Sequence, residues 1–323
     1  MSHGRPCLPD TLSLLHDGTF GRPGASHQAL PAVPTGFRYE RFMATATALA
    51  SLPAAWQYWI KDNLARGCSP AGMAAVMVNE GHFDAQLART AIEEASGIRV
   101  APPAAQPMPE IDARRNTVTC DGREVEVLLT LRSPRVVLLG GFLSPEECDE
   151  LIAYAAPRLE RSPVVGEGDG GNQVHAHRTS RGAMLQRAEC ELVARIEARL
   201  AALTRWPATH GEGLQLLRYE KGNEYRPHFD WFDPTRPGPA RHLERGGQRL
   251  ATVIMYLNDV EQGGATTFPE VGLEIQPRRG HALFFANTDC HGAPDRRALH
   301  AGAPVEAGIK LIATKWLRAH PYA

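Results

Sequence analysis

Leu214-Gln215-Leu216-Leu217-Arg218-Tyr219-Glu220-Lys221-Gly222-Asn223-Glu224-Tyr225-Arg226-Pro227-His228-Phe229-Asp230 is the stretch on which the fold turns. Leu214–Tyr219 reads as a strand closed by a glycine turn. In a strand, residues i and i+2 share a face. His228 and Asp230 can therefore both point into a barrel while Phe229 packs on the opposite side. From this stretch to the C-terminus the texture stays β: Arg249–Leu257, Glu274–Gln276, His281–Phe285 and Lys310–Leu317 are further strands between Gly, Pro and Asp/Asn turns.

Upstream the pattern is mixed. A hairpin is expected at Asn116–Cys120 and Glu124–Leu131, turning at Asp121-Gly122, and Arg135–Leu139 is another strand. Ser144-Pro145-Glu146-Glu147 is a capping box at the head of a helix carrying Cys148, Leu151, Ile152 and Ala155 on one face. A second helix covers about 187–204, with Leu192, Val193, Ile196, Leu200 and Leu203 inward. Helices followed by many short strands give an α+β class: a double-stranded β-helix, or jelly roll, with helices packed outside. The glycine-rich run at 166–172 lacks the strand and helix of a phosphate-binding loop.

Before this domain, residues 1–40 read as an arm rich in Pro, Gly and His. Residues 41–99 turn helical, with Trp56, Trp59, Ile60 and Leu64 at helical spacing, Ser69-Pro70 as a helix start and a third short helix over 84–95. A Pro-rich linker at 100–110 joins this small helical subdomain to the domain at 111–323.

His228, Asp230 and a distant His300 make the central chemical motif. Two imidazoles and one carboxylate hold non-haem Fe(II) on one face and leave the other open. His-x-Asp alone is weak in a chain with 13 histidines. The distal half adds to it: after His300 a strand begins at Lys310, and Lys310, Ile312 and Thr314 share one face. A buried ammonium is costly unless paired, and a ligand carboxylate would pair it. Zinc hydrolysis competes for such ligands, but no His-Glu-x-x-His is present. His242, His281 and His291 are other candidate ligands, and no metal is expected at Asp289-Cys290-His291.

The chain has 323 residues, 43% of them hydrophobic and 22% charged, with a net charge of −1. That composition suits a globular protein and gives no electrostatic case for nucleic acid or an anionic membrane. No apolar run approaches the roughly 20 residues of a membrane span, and the N-terminus lacks a signal-peptide pattern. Six scattered cysteines without Cys-x-x-Cys are expected to be reduced thiols in a cytoplasmic protein.

Taken together, these segments resemble the prolyl 4-hydroxylase family of Fe(II)- and 2-oxoglutarate-dependent dioxygenases, particularly its soluble bacterial and algal members. The likeness spans about residues 134–318. It includes Pro134-Arg135-Val136-Val137, Phe142 to Cys148, Arg178-Thr179-Ser180, Leu214 to Asp230, Gly246-Gly247-Gln248-Arg249, Gly263-Gly264-Ala265-Thr266-Thr267-Phe268-Pro269, and His300 to Trp316. It implies that His228, Asp230 and His300 bind iron. It implies that Lys310 pairs with the distal carboxylate of 2-oxoglutarate, that Tyr219 and Thr266 hydrogen-bond the same cosubstrate, and that Trp316 walls the pocket. Arg178, Ser180, Glu212, Tyr225 and Arg249 match positions that contact peptide substrate. Ala303 and Leu311 depart from the cysteine and tryptophan usual there, which alters packing rather than ligation.

The implied reaction consumes 2-oxoglutarate and O2, releases succinate and CO2, and hydroxylates an unactivated C–H bond, with ascorbate as reductant. The expected substrate is a prolyl residue in a peptide or protein. A free amino acid such as proline or pipecolate, a natural-product intermediate, and a non-catalytic binding sandwich are the alternatives. Oligomeric state is not readable from these residues. The segment 231–248, aperiodic and rich in proline, is expected to be a lid loop.

Overall fold

The computed structural model describes residues 47–79, 81, 83–102, 104–161, 164–165, 172–173, 180–233 and 237–322. The expected arm at 1–40 and the candidate contact Arg178 lie outside them. The chain divides into two compact units just after Pro102. Among the described residues, no helix is long and apolar enough to cross a membrane.

The first unit contains α1 (Ala48–Ser51), α2 (Ala54–Ala65), α3 (Pro70–Asn79) and α4 (Ala85–Ser96). Local chemistry sets the ends of α4. The Asp84 carboxylate accepts from the Gln86 and Leu87 amides at 2.9 and 3.0 Å, and Gly97 takes a left-handed cap at φ 67°. Trp56, Ile60, Met73, Met77 and Ile92 are buried together in this unit. Cys68 is disulfide-bonded, against the expectation of reduced thiols throughout, while Cys120, Cys148, Cys190 and Cys290 are free. Cysteine spacing alone does not reveal which thiols meet in space.

The second unit opens with the hairpin of β1 (Thr117–Cys120) and β2 (Arg123–Leu131). Its turn places Asp121 at φ 49° and Gly122 at φ 71°. Two successive positive φ values are what a two-residue turn compatible with strand twist needs, and Asp-Gly tolerates both. Then come β3 (Val136–Gly140), α5 (Pro145–Ala155), the short strands β4 (Glu160–Arg161), β5 (Val164–Val165) and β6 (Asn172–Gln173), β7 (Arg181–Leu185) and α6 (Glu191–Thr204). The remainder is β8 (Leu214–Tyr219), β9 (Tyr225–His228), α7 (Pro237–Glu244), β10 (Arg249–Tyr256), β11 (Gln262–Gly263), β12 (Thr266–Phe268), β13 (Leu273–Ile275), β14 (Ala282–Ala286), β15 (His300–Gly302), β16 (Val305–Ala307) and β17 (Lys310–Arg318).

Among the described residues, β1-β2-β3-β14-β10-β17-β8-β7-β4 form a major sheet and β13-β12-β15-β9 a minor one. The strand pairings within both sheets are antiparallel, and the unit is a jelly roll. Strand alternation divides the labour. On one face of the major sheet Ala251, Val253, Met255, Ala313, Leu214 and Leu216 pack with Leu151, Ile196 and Leu200 of α5 and α6. On the other face Leu217, Tyr219, Ile254, Tyr256 and Ile312 join Phe268 and Ile275 of the minor sheet. Central strands buried on both faces read as near-continuous apolar runs, as β10 does.

The capping box of α5 also anchors the helix layer. Ser144 Oγ accepts from the Glu147 amide at 3.2 Å, and Glu147 Oε2 accepts from the Ser144 amide at 2.9 Å. The same carboxylate holds buried Arg199 of α6 through two hydrogen bonds of 2.9 and 2.8 Å. Burial alone would raise the Glu147 carboxyl, but the Arg199 hydrogen bonds and the Ser144 amide outweigh it and hold it at about 2. A depressed carboxyl contributes stability that is present above the ordinary carboxylate range and is lost as pH falls through about 2. Glu147→Ala leaves a buried guanidinium without its counter-charge. It is expected to cost about 3–5 kcal/mol at neutral pH, measured by denaturant unfolding, with the gap to the unmodified chain narrowing towards pH 2.

Candidate functional site

The antiparallel pairing of β9 with β15 sets His228 directly opposite His300. Their ring centroids are 4.3 Å apart. Asp230, two residues past His228, closes the group: Oδ1 lies 3.8 Å from His228 Nε2, and Oδ2 lies 3.7 Å from His300 Nε2. One ligand atom from each of the three falls within 4.8 Å of the others, and this is the one such cluster among the described residues. His228 Nδ1 is 2.8 Å from the Arg226 carbonyl, and His300 Nδ1 is 3.0 Å from the Ala298 carbonyl. A carbonyl only accepts, so each Nδ1 carries a proton and each Nε2 faces Asp230.

Burial disfavours ionisation of Asp230, but His300, His228, Arg249 and the Thr252 hydroxyl outweigh it and hold its carboxyl at about 2. The donor set is two imidazole nitrogens and one carboxylate oxygen, with the cleft on its open side. Residues of that kind fit a divalent iron.

The cleft lies between the two sheets and opens to solvent. Tyr225, His228, Thr266 and His300 reach it from the minor sheet. Tyr219, Ile254, Lys310, Ile312, Thr314 and Trp316 reach it from the major sheet. Lys310 is 3% exposed, and no carboxylate pairs with it among the described residues. Desolvation pushes its ammonium down to about 7. Tyr219 stands directly opposite it on β8, with Nζ 5.6 Å from the ring centre. Thr266 Oγ1 accepts from the Tyr256 hydroxyl at 2.8 Å, which leaves the Thr266 proton free for another acceptor. Burial drives the Tyr256 phenol well above its usual range, so it stays a donor.

The glycines of Gly263-Gly264 sit at φ 73° and 70°. A Cβ on Gly263 would stand 2.5 Å from the Pro304 carbonyl, so the turn that delivers Thr266 requires glycine there.

The expected substrate contacts divide. Tyr225 lines the cleft and stacks on His228 with centroids 3.5 Å apart. Arg249, Glu212 and Ser180 are not among the lining residues. Arg249 donates to Glu212 through Nε at 2.6 Å and Nη2 at 3.0 Å, and its guanidinium lies 3.9 Å over the Trp316 ring. Ser180 is fully buried. Sequence reasoning missed Thr252 and Asn287, whose one signal is a polar side chain within the otherwise apolar Leu250–Met255 and Phe284–Ala286 neighbourhoods. Tyr256, behind Thr266, was masked by the same apolar strand.

The expected lid loop at 231–248 is corrected in part: it contains α7. Pro237 and Pro239 fall in the first turn of that helix, where amide hydrogens have no intrahelical partner and proline is tolerated. Gln248 clasps the base of the segment, accepting from the Phe232 amide at 2.8 Å and donating to the Phe232 carbonyl at 2.7 Å. Arg318, 2% exposed at the end of β17, donates to the main-chain carbonyls of His242 and Arg245 and to Glu212 Oε1. A tertiary guanidinium thus satisfies the helix end, which no local pattern announces. Arg318→Met is expected to speed amide exchange across 241–247 by about tenfold or more; unaltered protection there would mean that the helix stands without it.

Residues 214–318 match the model of the 2OG-Fe(II) oxygenase superfamily. A probable prolyl 4-hydroxylase 6 of Arabidopsis thaliana is 41% identical over 209 residues, covering 59% of this chain and 71% of that protein. Prolyl 4-hydroxylase 5 of the same plant is 38% identical over 208 residues, covering 58% of this chain and 70% of that protein. Among solved structures, the 2OG complex of a viral collagen prolyl hydroxylase from Paramecium Bursaria Chlorella virus-1 is 29% identical with a TM-score of 0.44. It covers 62% of this chain and 99% of that one. With the iron-type ligand set and the buried lysine in one cleft, the extent of likeness to the curated plant proteins means that this chain belongs to the prolyl 4-hydroxylase family of 2-oxoglutarate-dependent Fe(II) dioxygenases.

Proposed function

We propose that the chain hydroxylates a prolyl residue within a peptide or protein. In this reading His228, Asp230 and His300 hold Fe(II), and Lys310 holds the distal carboxylate of 2-oxoglutarate. The single observation that carries it is Lys310, an ammonium buried without a carboxylate partner among the described residues, in the same cleft as the three ligands. When bound, Fe(II) with 2-oxoglutarate and O2 supplies the oxidising power that places a hydroxyl on an unactivated carbon and releases succinate and CO2.

The chain's own residues supply position and exclusion of water. Thr266 offers its free hydroxyl proton, and Tyr219 its phenol, to the cosubstrate carboxylate beside Lys310. Trp316 walls the cleft, held flat by the Arg249 guanidinium above it. Tyr225, stacked on His228 at the edge of the cleft, is placed to meet the substrate. A peptide is favoured over a free amino acid because Arg249 already spends two donors on Glu212 and is not a free clamp for an α-carboxylate. Ascorbate would serve as the reductant that rescues iron after uncoupled turnover.

The test is succinate release with Fe(II), 2-oxoglutarate and ascorbate, across proline-containing peptides, free proline and free pipecolate, with the product mass read beside it. The expected result is succinate matched by a gain of one oxygen on a peptide prolyl ring. Coupled turnover with a free amino acid alone would replace the peptide reading, and no substrate-stimulated succinate from any of them would leave a binding sandwich.

A further inference from the structure

We infer that Thr252, oriented by Asn287, is a positioning residue for the metal-binding carboxylate; the inference rests on the iron ligation proposed above. Thr252 sits at the centre of β10, opposite Phe285 of β14 and Trp316 of β17, and both Thr252 and Asn287 are fully buried. Its Oγ1 is 2.8 Å from Asp230 Oδ2 and 2.9 Å from Asn287 Nδ2.

Chemistry fixes the direction of both bonds. An ionised carboxylate only accepts, so the one hydroxyl proton of Thr252 goes to Asp230. The hydroxyl oxygen then accepts from the Asn287 amide. The backbone of Asn287 is held on both sides: its main-chain amide donates to the Leu250 carbonyl at 2.8 Å and its carbonyl accepts from the Asp295 amide at 2.9 Å. Its side-chain Oδ1, in contrast, is buried with no partner among the described residues. An orphaned buried carbonyl oxygen is a standing cost, and a leucine would avoid it. What the asparagine supplies in exchange is a fixed rotor on Thr252.

The consequence falls on Asp230. Oδ2 spends a lone pair on Thr252, which holds the carboxylate plane and favours ligation through a single oxygen. Without that hydroxyl the carboxylate is free to rotate or to close on a metal through both oxygens, occupying a position that cosubstrate needs. Groups that orient a ligand from behind commonly change metal affinity by about 10–100-fold when removed.

The test uses the full chain stripped of metal. Mn(II) affinity is measured by the loss of its free-ion electron paramagnetic signal, and Co(II) is substituted to read coordination from its visible spectrum. Thr252→Val keeps the shape and removes the hydroxyl; Thr252→Ser keeps the hydroxyl. The expected result is Mn(II) affinity weaker by about tenfold or more in T252V with an altered Co(II) spectrum, and both near the unmodified chain in T252S. Asn287→Ala should move both readouts in the same direction by less, and it serves if T252V does not fold. Mn(II) affinity within about threefold of the unmodified chain in T252V and Asn287→Ala, with an unchanged Co(II) spectrum, overturns the inference and leaves the ligation standing. Failure of the unmodified chain to bind Mn(II) at all overturns the ligation itself, and the inference with it.

Discussion

Alanine in place of His228 is expected to lower succinate release by about a thousandfold or more, to background. The size of the effect follows from geometry. Under the proposed ligation, one atom from each of three side chains, all within 4.8 Å of one another, makes the protein's share of the metal site among the described residues. Removing one of them leaves a two-point grip with no face to define. The orientation of His228 is fixed from behind, because the Arg226 carbonyl occupies Nδ1. The fold should survive the change, since β9 pairs with β15 through main-chain hydrogen bonds and His228 is only half-buried. Unchanged melting of the metal-free chain alongside lost succinate separates loss of metal from loss of structure. Retained turnover would sink the ligand assignment.

Lys310→Met is the second large effect. The ammonium is 3% exposed and faces a cleft, so a dianionic cosubstrate meets it with little intervening water. Truncating one partner of a desolvated charge pair costs about 2–5 kcal/mol, so the 2-oxoglutarate KM should rise about a hundredfold while the chain still folds. Methionine fills the volume and removes the uncompensated cation, so the metal-free variant should be no less stable than the unmodified chain.

The sign of the pH dependence follows from the same burial. In the free chain Lys310 titrates near 7 because desolvation opposes its charge. A bound carboxylate restores the charged form and raises that value, so binding takes up a proton above pH 7. Affinity for 2-oxoglutarate is then full below about 7 and falls as pH rises, by up to about tenfold per pH unit. Calorimetry in buffers of different ionisation enthalpy reads the proton directly. A pH-independent affinity between 7 and 9, or a K310M chain with unaltered KM, would remove Lys310 from the cosubstrate site.

The strands were readable because the physics that builds them is periodic. Lys310, Ile312 and Thr314 stand at even spacing, and that parity alone puts them on the cleft face. The capping box at Ser144 and the Asp121-Gly122 turn were readable because their side chains do the structural work locally. What escaped was tertiary. The end of α7 is satisfied by Arg318, some 70 residues away, and nothing within 231–248 signals that partner. Thr252 looks like one more β-branched residue in a strand until Asp230 is seen across from it. Arg249 and Glu212 were matched to substrate contacts separately, and only in space do they prove to hold each other. The disulfide at Cys68 had no spacing signature at all.

The pairing of His228 with His300 also bears on how long the chain lasts. β9 and β15 share two register positions with an irregularity between them, a thin seam joining segments roughly 70 residues apart in sequence, and closing a loop of that size opposes folding by about 4 kcal/mol of chain entropy. A metal that binds the closed seam and not the open one adds about 2.7 kcal/mol when its free concentration is a hundredfold above its Kd. Under the proposed ligation, the minor sheet opens more readily when iron is scarce. The abundance of this chain would then track the iron supply of its cell, because proteases cut what opens.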